Sequence, residues 1–244
     1  MHDITVYPIA RTQMIPNKWF GSKYGTNLAG LAAKRCYMSF EVGMNPNVKK
    51  IREDWTEYLD NILKSGHGSV LEHVSWTWAI EGCTRVFTGE MNRHRAGVAI
   101  SEGSMRYIRF DESIPYWIPL SIRGDDVNSV QTRRIFEETF AYIHAQYMRL
   151  CELWNIDAQT FADKKKLTSM FRRLLPMGTQ TGGIWTMNIR ALRHIIALRT
   201  SPAAEEEIAF IIGKIAAVMI SEECDLFQDF ECIDGQYVPK YVKV

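Results

Sequence analysis

Three arginines, a histidine and two serines fall within the fifteen residues from Arg93-His94-Arg95 to Ser104-Met105-Arg106-Tyr107. The stretch between them, Ala96-Gly97-Val98-Ala99-Ile100-Ser101-Glu102-Gly103, is mostly small. Small residues let backbone N–H groups approach an anion closely. Guanidinium forks bind phosphate in two-point fashion. The window therefore suits a phosphorylated ligand, and its alternative is a solvated basic helix end followed by a turn. A second polar set holds Arg172, Arg173, Asn188, Arg190, Arg193, His194 and Arg199. Arg190, Arg193 and His194 lie within about one helical turn, so they share a side too polar for plain core. That side reads either as a ligand rim or as surface arginines paired with the many glutamates. The third element is His67-Gly68-Ser69 with Glu72 and His73. No third ligand at fixed spacing joins the two histidines, so no metal is expected. His67, in a glycine-bearing loop, reads as a ligand-contact or capping residue.

Several chemistries can be set aside. The chain has no GxGxxG, no GxxxxGK[ST] and no GxSxG. No cysteine lies inside either arginine set, which argues against a cysteine nucleophile held in an anion site. Net charge is +1, from 29 Lys+Arg against 28 Asp+Glu. Such balance disfavours bulk electrostatic binding to nucleic acid or to an anionic membrane. The five cysteines, Cys36, Cys83, Cys151, Cys224 and Cys232, form no CxxC pair and are odd in number. Free thiols in a reducing, cytoplasmic setting are expected. No apolar run reaches transmembrane length, and Met1–Pro16 lacks a charged-then-apolar leader layout.

The elements that must position these residues follow from periodicity. Ile4–Ile9 reads as a strand, and Asn27–Tyr37 and Val48–Leu63 as helices. Ser65–Ser69 breaks the chain. Val74, Trp76, Trp78 and Ile80 alternate with Ser75, Thr77 and Ala79 as a half-buried strand. Cys83–His94 reads as a helix. Asp126–Trp154 is a long helix, its buried face marked by Phe136, Phe140, Ile143, Tyr147, Leu150 and Trp154. Gly182-Gly183 precedes a strand at Ile184–Met187, and a helix runs over Ile189–Arg199. Ser201-Pro202 reads as the N-cap and first position of the last helix, with Glu205, Glu206 and Glu207 near its positive end. No Pro/Gly/Ser-rich linker interrupts the chain, so residues 1–244 read as one α+β domain.

Four stretches in order carry a resemblance. They are Ser65-Gly-His-Gly-Ser-Val-Leu-Glu-His73, Arg93-His94-Arg95 closing in Ser104-x-Arg106-Tyr107, Arg172-x-x-x-Pro176, and Asn188-x-Arg190 running to Leu198-Arg199. With them the chain resembles the flavin-dependent thymidylate synthases (the ThyX family) over about residues 39 to 208. The resemblance implies a thymidylate synthase-complementing-protein-like fold, α+β, with a central, largely antiparallel sheet and long helices. It implies a homotetramer whose active sites lie where subunits meet. It also implies conversion of dUMP to dTMP with FAD as cofactor and NADPH and methylenetetrahydrofolate as co-substrates.

By resemblance, Ser39, Ser69, Glu72, Arg93, His94, Arg95, Asn188, Arg190 and His194 line the FAD site, and His67 lies near the flavin ring. Glu90, Glu102, Gly103, Ser104, Met105, Arg106, Arg172 and Arg199 fall to the nucleotide, with Arg199 beside the pyrimidine ring. Three positions and one loop length depart from the family pattern. Glu90 stands where Gln is usual, Ser101 where Asn is usual and Ala203 where His is frequent, and the Arg95-to-Ser104 loop is one residue longer. A carboxylate at Glu90 could accept from an exocyclic amine. A cytosine nucleotide as substrate, or a 5-hydroxymethyl product, therefore stands as the alternative. A nucleic-acid-binding module is a third reading, disfavoured by the balanced charge.

Overall fold

The computed structural model describes residues 3–15 and 25–244, and of residues 25 and 26 only the backbone. Along the chain run strand β1 (Thr5–Arg11), helices α1 (Gly25–Tyr37) and α2 (Trp55–Lys64), strand β2 (Ser75–Thr84), helix α3 (Arg85–Met91) and strand β3 (Val98–Glu102). Then come α4 (Val127–Leu153), α5 (Phe161–Phe171), β4 (Gln180–Asn188), α6 (Ile189–Arg199), α7 (Glu206–Glu222), α8 (Cys224–Phe227), β5 (Phe230–Ile233) and β6 (Gln236–Pro239). The fold is α+β.

Four strands form one sheet in the order β1-β2-β4-β3, and β5 and β6 form an antiparallel ribbon. The sheet's register is legible in a few bonds. Asn188 N–H donates to Gly97 C=O at 2.9 Å, and Gly103 N–H to Gly182 C=O at 2.8 Å. One strand's numbers rise as the other's fall, so β3 and β4 run antiparallel. Arg85 N–H on Thr179 C=O and the Thr77–Thr186 hydroxyl pair give the same sense for β2 and β4.

The described chain divides into two compact units. The first gathers residues 3–5, Ile80–Met91 and Ser101–Gly183. Its core is Phe110, Ile114, Phe140, Tyr147, Cys151, Ile156 and Phe171. Tyr147 meets both Phe110 and Phe171 edge-on, at 6.1 and 6.0 Å between ring centres. Such geometry suits the ring quadrupoles. The second unit gathers the described parts of Val6–Ala79 with Asn92–Ile100 and Ile184–Val244. There α6 packs on α7 and on a 3₁₀ turn at Gly68–His73. Ile189, Leu192, Ile195 and Ile196 of α6 are buried, as are Ile208, Ile211, Ile212, Ile215 and Met219 of α7.

Strands β3, β5 and β6 and helices α5 and α8 are not among the elements expected from the sequence, and β1 and β2 run on to Arg11 and Thr84. Four further boundaries differ for local reasons. The helix expected over Val48–Leu63 begins only at Trp55, because the Asp54 carboxylate accepts from Glu57 N–H and caps it there. The helix expected over Cys83–His94 is confined to Arg85–Met91. Gly182 and Gly183 lie inside β4 rather than before it. A Cβ at Gly182 would meet the end of the Glu81 side chain, which lies across the strand here. Ser201 does not cap α7. Its hydroxyl turns back to Leu198 C=O, and Glu205 caps instead, accepting from Glu207 and Ile208 N–H. The acidic residues still meet the positive end of the helix.

Candidate functional site

In the second unit the Arg93-His94-Arg95 triplet sits in the turn before β3, and α6 opens opposite it along the β3–β4 pairing. Asn188 caps α6 by accepting from Ala191 N–H at 2.8 Å. Gly97 faces that cap with φ of +71°, and a Cβ there would lie 2.5 Å from the Asn188 amide nitrogen. Glycine is therefore required at this place twice over, for backbone conformation and for room.

Two residues along α6, exposed Arg190 reaches Glu72 of the 3₁₀ turn at 2.6 Å. At the far end, Arg199 Nε donates to His94 Nε2 at 2.9 Å. The rings of His94 and His194 meet edge-on at 6.2 Å. A cavity of about 380 Å³ is lined by Glu72, Ala96, Gly97, Asn188, Arg190, Ala191, His194 and Val244. Four of the expected cofactor residues, Glu72, Asn188, Arg190 and His194, thus share one cavity. Ser69 lies exposed on the same 3₁₀ turn as Glu72, and Arg93 and Arg95 are exposed beside Gly97.

His67 precedes that 3₁₀ turn. Its ring packs edge-on against Tyr37 at 5.4 Å, and its Nδ1 is buried without a hydrogen-bond partner. A polar atom buried this way is costly unless something binds it. Gly68 next to it is buried, and a Cβ there would come 2.9 Å from Arg190 Nε. Ser39 does not line the cavity of Glu72, Asn188, Arg190 and His194. It lines a separate cavity of about 320 Å³ with Lys34, Tyr37, Tyr58, Asn61 and Ser65. Arg193, which the spacing places with Arg190 and His194 on one polar side, is instead only 3% exposed. It forks onto both oxygens of Asp229 at 2.8 and 2.9 Å and donates to Leu226 C=O. The pair ties α6 to the residue that precedes β5.

In the first unit, β3 ends at Glu102 and the chain turns through Gly103–Arg106. Gly103 packs with its Cα side against Thr181, where a Cβ would lie 2.9 Å from the Thr181 hydroxyl. Ser104 C=O accepts from Tyr107 N–H at 2.9 Å, closing the turn. Met105 is buried and anchors it. Arg106 keeps its side chain exposed, while its C=O accepts from the Thr168 hydroxyl of α5 at 2.6 Å. Arg172 caps the end of the same helix and is exposed. One helix thus sets the backbone of Arg106 and carries Arg172.

Arg85, which the motifs do not mark, joins this group. It forms an ion pair with Glu102, and its pKa is lowered first by burial and then by the charge of Arg172. Glu90 lies half-buried on α3, five residues beyond Arg85.

Comparisons with known proteins identify the family. A model of the thymidylate synthase complementing protein family matches residues 22–222. A flavin-dependent thymidylate synthase from Geobacter sulfurreducens is 31% identical over 201 residues, 82% of this chain and 79% of its own. A probable flavin-dependent thymidylate synthase of Mycobacterium phage D29 is 31% identical over 232 residues, 91% of this chain and 94% of its own. Among solved structures, the UMP/dUMP methylase PolB from Streptomyces cacaoi, bound with 5-Br dUMP, superposes with a TM-score of 0.65. That match covers 90% of this chain and 91% of the other at 19% identity, and so speaks for the fold. The chain belongs to the thymidylate synthase complementing protein family, whose members matched here carry the name flavin-dependent thymidylate synthase.

Proposed function

We propose that this chain is a flavin-dependent thymidylate synthase, transferring a one-carbon unit from methylenetetrahydrofolate to C5 of dUMP, with reduction by NADPH through FAD, to give dTMP. The observation that carries this reading is the 2.9 Å bond between Arg199 and His94. It joins the arginine expected beside the pyrimidine to the triplet expected to line the flavin site.

The residues present fit the cofactor. The cavity around Arg190 and His194 offers cationic and ring donors to an anionic pyrophosphate. Gly68 lets the backbone come close to the Arg190 guanidinium, and the buried Nδ1 of His67 lacks a partner. Ser69, Glu72, Asn188, Arg190 and His194 would hold FAD, with Arg93, His94 and Arg95, and Ser39 from its separate cavity. His67 would lie near the ring. When bound, the flavin supplies a hydride, which no side chain can.

The chain's own residues do the rest. Carbon 5 of uracil is a weak nucleophile. It gains carbanion character when negative charge gathering at N3 and O4 is stabilised. A guanidinium fixed at Arg199 supplies that help, and most effectively where water is scarce. Arg106, Arg172 and Ser104 clamp the 5′-phosphate, and Glu102, Gly103 and Met105 shape the turn that carries them. Positioning of this kind converts a bimolecular encounter into an oriented one. The proposal includes a homotetramer in which FAD and nucleotide touch more than one chain, and a cytoplasmic location. No helix among the described residues is long and apolar enough to cross a membrane.

Glu90 keeps a second reading in play, in which the ring is a cytosine or the product a 5-hydroxymethyl nucleotide. Purified protein should be yellow and bleach with NADPH. Mass spectrometry of products from dUMP, UMP, dCMP and CMP should find dTMP from dUMP alone. A colourless protein that binds no added FAD overturns the proposal, and a hydroxymethyl or cytosine-derived product moves it to the second reading.

A further inference from the structure

The ion pair between Arg85 and Glu102 lies among the residues expected to hold the nucleotide. Arg85 opens α3, where its own N–H is fixed by Thr179 C=O at 3.2 Å. Glu102 ends β3 immediately before the Gly103–Arg106 turn. The Glu102 side chain is the more sheltered partner, 16% exposed against 35% for Arg85. A sheltered carboxylate this close in sequence to a phosphate clamp is an electrostatic problem. An unscreened negative charge there would repel the phosphate dianion that Arg106 is expected to bind. Arg85 removes the problem by ion pairing, and Arg172 is near enough to Arg85 to influence its ionisation. With the Glu102 charge met by Arg85, the charge of Arg172 stays available to an anion.

We propose that Arg85 is a positioning residue of the nucleotide site: its ion pair holds Glu102 in place and cancels its charge, so that the nucleotide phosphate meets Arg106 and Arg172 without repulsion. This rests on the nucleotide reading given above. Arg85 acts through Glu102 and is not a catalytic residue. Arg85 and Glu102 are far apart in the chain, on a helix and a strand, so the pair also ties α3 to β3. A purely structural tie would affect every ligand alike.

The test is calorimetric titration of dUMP into FAD-loaded protein, with FAD affinity measured separately by absorbance. Arg85→Gln should weaken dUMP about ten-fold, the scale of losing one charged hydrogen-bonded partner, and leave FAD affinity within about two-fold. Adding Glu102→Gln to Arg85→Gln should bind dUMP more tightly than Arg85→Gln alone, because the uncompensated carboxylate is gone. Arg85→Lys keeps the charge and should stay within about three-fold of wild type for dUMP. Should Arg85→Gln fail to fold, Arg85→Lys decides, a loss beyond about ten-fold excluding charge compensation. Unchanged dUMP affinity in Arg85→Gln, equal weakening of FAD and dUMP, or a double variant no tighter than the single overturns the assignment of Arg85 alone. Wild-type protein that binds FAD but no dUMP overturns the nucleotide reading and this inference with it.

Discussion

Arg199 Nε donates to Nε2 of His94 at 2.9 Å, tying the last residue of α6 to the middle of the Arg93-His94-Arg95 triplet. A ring nitrogen accepts a hydrogen bond only when it carries no proton. His94 therefore holds the guanidinium in one orientation as a neutral acceptor. Position matters more than charge alone if Arg199 is to stabilise charge developing on a pyrimidine ring. Arg199→Ala should lower kcat by about 100-fold or more, the scale of losing one preorganised electrostatic donor. Arg199→Lys should recover little, since an ammonium lacks the planar fork that His94 orients. FAD affinity should change far less than turnover in both. Steady-state kinetics beside flavin titration checks this, and equal losses in turnover and in FAD binding contradict it.

Arg106 and Arg190 should separate cleanly. Arg106 has its backbone pinned by Thr168 and its side chain exposed, while Arg190 lines the cavity with Asn188 and His194. Arg106→Ala should raise the KM for dUMP about 10- to 100-fold with FAD affinity unchanged, and Arg190→Ala should weaken FAD by about ten-fold, as loss of a charged hydrogen-bonding partner does. Measured dissociation constants for both ligands in both variants decide. A matching loss in both columns would show that these roles are assigned wrongly.

The buried pair of Arg193 and Asp229 makes a stability prediction independent of ligands. Arg193 is 3% exposed and the Asp229 side chain 1%, and the same carboxylate also accepts from Tyr241 N–H at 3.1 Å. Asp229→Asn leaves a buried guanidinium without its counter-charge, which typically costs about 3–5 kcal/mol. Urea denaturation should show that loss with little change in slope. An unchanged midpoint would mean that the pair is dispensable.

Alkaline pH offers a further check. Burial pushes the Tyr147 hydroxyl up to about 12 from its ordinary 10.0, with nearby Cys151 adding to the shift. The folded chain then holds the proton more firmly than the unfolded chain does. Below pH 10 both states keep the proton and the stability is fully present. Between pH 10 and about 12 the unfolded chain loses its proton first, and stability falls. Tyr147→Phe should flatten this decline across that interval in melting experiments. An equally steep decline in the variant would assign it to other groups.

Much of the architecture was legible because it rests on local chemistry. Helix α6 starts and ends where the sequence places it, since Asn188 caps it and four buried apolar residues recur at helical spacing. The long helix α4 likewise follows from its spaced aromatics and the cap at Asp126, which accepts from Ser129 N–H, but Trp154, expected on its buried face, is 48% exposed. The boundary at Ser201 failed because two residues could cap. Glu205 wins through two backbone N–H groups. At the site, the arginine sets stood out by type, but type does not reveal partners. Arg193 shares a helical turn with Arg190, and only the distant Asp229 decides that one is buried and the other exposed. Arg85 escaped notice for the same reason, because its partner Glu102 lies on another element. Ser39 was grouped with residues that line a different cavity, which no linear spacing reveals.

The most direct test of the account is tritium release from dUMP labelled at C5, measured with FAD, NADPH and methylenetetrahydrofolate and followed to dTMP. The account predicts release that requires all three additions and tracks dTMP formation, and that falls by about 100-fold or more in Arg199→Ala. Release that is absent under these conditions in protein that binds both FAD and dUMP, or that is unaffected by Arg199→Ala, would contradict it.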